Sequence, residues 1–158
     1  MKTSLKCALI LFTLAVCATS STQSSAPPFA LALEAEENPV KAGSEVKVDI
    51  TLSNSSTRAM HISYGLTESD YAFEVRDSQN RIPPETEFAR KAKGRGFSSD
   101  QLFYVQPGEN LPKALLVVST FYDLSRPGNY KIQVSRTIPK ELGSGTIKSN
   151  TITLAVTE

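Results

Sequence analysis

Hydrophobic and polar residues alternate with a period of two along most of the chain, the signature of strands with one buried and one wet face. Phe29, Leu31 and Leu33 alternate with small residues, and Val46, Val48, Ile50 and Leu52 alternate with Lys47, Asp49 and Thr51. Met60, Ile62 and Tyr64 repeat the pattern, as do Tyr71, Phe73 and Val75 against Glu74 and Arg76. Tyr130, Ile132 and Val134 alternate with Lys131, Gln133 and Ser135, and Ile152, Leu154 and Val156 close the chain. Residues 102–105 and 115–118 are continuous apolar runs, which predict more deeply buried strands.

Turn chemistry separates these segments. Pro39 with Gly43, Asn54-Ser55-Ser56, residues 77–80, Pro107-Gly108-Glu109-Asn110, Pro127-Gly128-Asn129 and Gly143-Ser144-Gly145 stand between the alternating runs. Seven to eight short strands punctuated in this way predict an all-β protein, an immunoglobulin-like antiparallel β-sandwich. Strand–helix alternation, GxGxxG and GxxxxGK[ST] are all missing, which removes support for a nucleotide-binding α/β fold. There is no Trp, and neither Cys lies within the alternating strands, so the domain is not of antibody type. Tyr130, two residues after Gly128, suits either a tyrosine corner or an ordinary core tyrosine, and core tyrosines are the commoner case.

The first residues follow a different rule. Lys2 and Lys6 precede an apolar stretch over residues 7–18. As a helix it would reach about 18 Å, well short of a hydrocarbon core of about 30 Å. A positive start, a short apolar run and small residues at its end predict a signal peptide over residues 1–18 and export to the periplasm or exterior. Leu14-Ala15-Val16-Cys17 also resembles a lipobox, which gives a second expectation: lipidation of Cys17 and a membrane-anchored lipoprotein. The membrane enters only through that signal or anchor. Residues 19–28 are rich in Ser, Thr and Pro and read as a tether, with the folded domain at residues 29–158.

Cleavage changes the chemistry on offer. The 158 residues carry a formal charge of +1, and removal of Lys2 and Lys6 leaves fifteen basic against sixteen acidic residues. Both cysteines leave with the signal, so thiol catalysis, thiolate zinc sites and disulfides drop out. His61 is the only histidine, lies between Met60 and Ile62, and should face away from them. A triad or His-based metal site needs partners that the sequence lacks. Glu34, Glu36 and Glu37 lack the spacing of a calcium loop. Asn54-Ser55-Ser56 matches a glycosylation sequon, although Asn and Ser are also ordinary turn formers. No catalytic, cofactor-binding or metal-ligating set emerges, so the expectation is a non-enzyme without a cofactor.

Residues 83–100 stand apart. They lack strand alternation and exceed a hairpin loop of about two to five residues, which marks a functional or mobile segment. Arg90, Lys91, Lys93 and Arg95 place four positive charges within six residues, bracketed by Phe88 and Phe97. These six residues form the candidate partner-binding loop. Its partner would be a protein, a protease among the candidates, or an envelope component. An export signal and a slightly acidic mature chain argue against nucleic acid.

The order of strands and turns resembles a known family. Residues 48–56 (VDITLSNSS), residues 71–77 (YAFEVRD), Gln106-Pro107-Gly108-Glu109 and Pro127-Gly128-Asn129-Tyr130 are similar to the bacterial intracellular proteinase inhibitor (BsuPI-type) domain, over about residues 44–136. The resemblance implies an immunoglobulin-like sandwich and, by analogy only, a protease-inhibitor-like role. The chain departs from that family in carrying an export signal. The functional expectation is an exported β-sandwich binding module acting through the 83–100 loop; the rival is a structural or adhesive envelope module without a discrete ligand.

Overall fold

The computed structural model describes residues 27–64, 70–92, 101–143 and 145–158. Among them the fold is all-β and sandwich-like, with ten strands and one short α-helix. The strands are β1 (Phe29–Ala35), β2 (Val40–Lys41), β3 (Lys47–Asn54), β4 (Met60–Tyr64) and β5 (Ala72–Arg76), followed by β6 (Gln101–Val105), β7 (Ala114–Val117), β8 (Gly128–Ile138), β9 (Gly145–Lys148) and β10 (Ile152–Thr157). One sheet has the order β1-β3-β7; the larger has β2-β10-β8-β5 with β9 also on β8; β4 and β6 form a separate two-stranded ribbon. All pairings are antiparallel except β2 with β10.

Eight of the ten strands coincide with alternating or apolar segments of the sequence. The additional two are β2, only two residues long, and β9, only four. Neither is long enough to display a period. Alternation does its work most plainly in β1 and β3, where Phe29, Leu31, Leu33, Val48, Ile50 and Leu52 are all buried. They meet Tyr130, Ile132 and Val134 of β8 and Leu154 and Val156 of β10 in one hydrophobic core. Burial of such side chains is the main driving force for the assembly.

The two continuous apolar runs are not buried on both faces. Leu102 and Tyr104 on β6 are 67% and 56% exposed and Leu115 on β7 is 46% exposed, while Val105 and Leu116 are buried. β6 lies in the ribbon and β7 at the edge of its sheet, and among the described residues no further sheet covers their outer faces. The outward apolar residues are surface, not a second core.

Two core-facing series include a polar residue. In β3 the inward positions run Val48, Ile50, Leu52, Asn54; in β8 they run Tyr130, Ile132, Val134, Arg136, Ile138. Asn54 is fully buried and Arg136 is 6% exposed. Both are richly bonded, as buried polar groups must be. The Nδ2 of Asn54 donates to Arg58 O at 2.7 Å and Val105 O at 2.9 Å, and its Oδ1 accepts from Ser56 N at 3.0 Å and Ser56 Oγ at 2.7 Å. Its amide nitrogen is thus enclosed and engaged, and the sequon reading is set aside in favour of the turn-forming one.

Strand directions give the molecule two poles. Phe29 pairs with Asn54 and Ala35 with Val48, so β1 leaves the N-terminal pole and climbs to the far one. At the N-terminal pole, Ser55 N donates to Pro28 O at 2.9 Å and Ser55 Oγ to Pro27 O at 3.0 Å. Gly143 packs there as well, with φ +114 and an added Cβ that would lie 3.3 Å from Cγ of Pro28. Glycine alone suits that backbone and that approach. At the far pole lie β2, the end of β10 and the start of β8, since Val156 pairs with both Val40 and Gly128. The hydroxyl of Tyr130 donates to Arg126 O at 2.8 Å, so Tyr130 forms a tyrosine corner where β8 begins.

Candidate functional site

The described part of the 83–100 segment is a docked helical shoulder on the far pole. Residues Glu87–Ala92 form helix α1. Thr86 caps it: its Oγ1 accepts from Ala89 N at 3.2 Å and donates to Thr120 O at 2.5 Å. Backbone bonds fix the approach, with Thr86 N on Phe121 O at 3.0 Å and Asp123 N on Pro84 O at 2.8 Å. The helix was hidden from the periodicity because a single turn and a half buries only Ala89. Its stability comes from docking, since an isolated helix of this length is unstable in water.

Aromatic side chains complete the attachment. Phe88 meets Phe121 edge-on with ring centroids 5.7 Å apart, and Phe121 meets Phe73 of β5 in the same manner at 4.7 Å. Edge-to-face pairs of this kind add specificity to burial. Phe88 nonetheless stays 53% exposed, and Ile82, on the same pole, is 56% exposed. Apolar surface held out on a rigid, anchored element is a feature of contact sites.

The basic residues on the shoulder are already engaged. Arg90 donates from its guanidinium to Glu85 O at 2.6 Å, and the Lys91 ammonium lies 2.6 Å from the Glu87 carboxylate one turn earlier. Residues 87–92 are helical, so they do not present Arg90 and Lys91 on an extended strand. Lys93, Arg95 and Phe97 lie outside the described residues, as does Cys17 with the rest of residues 1–18.

Two grooves flank Pro84. The larger, about 460 Å³, runs between Ser44–Glu45, the α1 cap and residues 119–125; the smaller, about 270 Å³, lies over Arg81, Pro83, Arg126 and Tyr130. The turns around them are held by carboxylates. Asp77 accepts from Gln79 N and Arg81 N, each at 2.9 Å, and the Arg81 backbone bond is the main cause holding its carboxyl below the ordinary range. Asp123 is likewise lowered, chiefly by Ser125. Burial pushes the Tyr130 hydroxyl up.

Elsewhere the candidates behave as surface groups. His61 is exposed as its position between Met60 and Ile62 requires, with its ring 4.8 Å from Tyr104. Among the described residues no three His, Cys, Asp or Glu side chains are placed to share a metal ion, and no helix is long and apolar enough to cross a membrane. The residues that sequence reading missed are Asn54 and Arg136. Their signal was present: each continues a core-facing alternation with a polar side chain. No protein-family model matches the chain, and no curated protein matches it.

Proposed function

We propose that the chain is an exported, non-enzymatic binding module that meets a protein partner with its far pole, on and around α1. The observation that carries this reading is the placement of α1 opposite the N-terminal tether. Pro27 and Pro28 are bonded at one pole, whereas Phe88 stands half out of the other on a capped, docked helix. A module tied by residues 19–28 would hold its far pole away from whatever the tether is tied to. Anchored loops on a rigid β scaffold are a common way to present contact residues.

Under this reading the partner buries Phe88 and Ile82, and the basic residues add orientation. The protease-inhibitor variant of the proposal assigns the cleft-filling role to the segment after α1, because Arg90 and Lys91 sit on a helix. Capture from a native envelope fraction tests the proposal. An F88D variant, and a variant with Arg90, Lys91, Lys93 and Arg95 all changed to Ala, should lose a partner that the unaltered protein retains. Full retention by both, with the fold intact by circular dichroism, would contradict it.

A further inference from the structure

The β4–β6 ribbon is joined to the body differently from the other strands. Its strands pair with each other from Met60 with Val105 to Tyr64 with Gln101, and among the described residues neither pairs with a strand of the two larger sheets. Two polar residues, the breaks in the core-facing series of β3 and β8, connect it instead.

At the N-terminal pole the connection is firm. Asn54 Nδ2 holds Val105 O, and the turn after β6 is bound to the Asn54 backbone, through Gly108 N to Asn54 O at 2.8 Å and Asn54 N to Glu109 O at 2.9 Å. Toward the other end the described hold centres on Arg136. Its guanidinium donates to Ser63 O at 2.5 Å and to the Tyr71 hydroxyl at 3.3 Å, and lies 3.5 Å from the Asp70 carboxylate. Between these attachments Ile62 and Val105 point into the core. Beside Arg136, however, a cleft of about 390 Å³ opens along the seam, with Ile62 and Ser63 on the ribbon side and Tyr71, Ala72 and Thr137 opposite. Among the described residues the polar hold across this seam runs through Arg136, and no strand pairing bridges it.

We propose that β4–β6 is a hinged strap, turning about its Asn54 end and latched by Arg136, which opens along this cleft while the two larger sheets stay folded. Opening carries the ribbon as a unit, because its internal ladder is independent of the rest. It exposes Ile62 and enlarges the cleft. Sub-global opening of a weakly attached supersecondary unit is the expected behaviour of such an arrangement.

Thiol labelling of the full chain, resolved peptide by peptide so that Cys7 and Cys17 do not interfere, tests the strap. I62C reports the underside of the ribbon, and V48C, on β3, reports the main core. The I62C thiol should react roughly tenfold or more faster than the V48C thiol. Adding R136M should speed I62C by roughly a further tenfold, the scale of a lost charge-assisted bond, and leave V48C within about twofold. Adding R136K, which keeps a donor near Ser63 O, should fall between. Equal rates for I62C and V48C would overturn the proposal, whether or not R136M folds. So would an equal acceleration of both thiols by R136M, which would make Arg136 a support of the whole fold.

Discussion

Asn38, Asn54 and Asn150 each use a side-chain amide to occupy strand backbone that no neighbouring strand reaches. Asn150 bonds both ways with β1, accepting from Leu33 N and donating to Leu33 O, each at 2.9 Å. Asn38 does the same on β10, with Thr153 O at 2.9 Å and Ala155 N at 3.0 Å. Plugged edges of this sort resist pairing with other chains. Asn54 is the most committed of the three, so N54A should destabilise the protein by about 3 kcal/mol, the scale of several buried groups losing partners. Urea unfolding measures it, and a loss below about 1 kcal/mol would contradict the assignment. Y130F removes only the corner bond and should cost about 1 kcal/mol in the same assay. The carboxylates add a pH dependence. Because Asp77 and Asp123 are lowered in the folded state, their stabilisation is complete above the ordinary carboxylate range and is lost as pH falls through the depressed values. The amide protons of Gln79, Arg81 and Ser125 should therefore titrate with midpoints below about pH 4; midpoints above that would reverse the sign.

At the scale of elements, what could be read in advance was what is local. β1, β3, β8 and β10 announce themselves by alternation, and the outward placement of His61 followed from its neighbours alone. The short strands β2 and β9 did not, because their existence depends on β10 and β8 being beside them. Pairing of β5 with β8 and of β4 with β6 joins segments far apart in sequence, and no local period encodes it. Helix α1 was invisible for a related reason: its cap, Thr86, was legible only once Thr120 and Phe121 were known to lie under it. T86A should loosen the shoulder by about 1 kcal/mol, the usual worth of an N-cap. Faster amide exchange at Ala89 and Arg90, with β3 and β8 unchanged, is the expected result. Exchange that rises everywhere would show the cap supports the whole fold, and no change would show that docking does not depend on it.

For the molecule as a whole, the two poles give the surface features a direction. Pro27 and Pro28 are bonded at one end, while α1, Ile82 and the paired grooves occupy the other, and Asn54 and Arg136 fasten the ribbon. Composition alone argued for binding by eliminating thiol and histidine chemistry; the poles turn that into a claim about where binding occurs. Candidate residues at 88, 90 and 91 fall on the far pole together, but on a docked helix where Arg90 is bonded to Glu85 O and Lys91 is paired with Glu87. Their contribution is therefore shape and apolar area more than free charge, and binding should weaken only modestly with added salt. The most direct test is a hydrogen-exchange footprint of the protein with and without a captured partner. New protection is expected at residues 82–92 and 119–126, with residues 55–58, 106–109 and 140–143 unchanged; protection confined to those N-terminal-pole turns, or to β4 and β6, would contradict binding at the far pole.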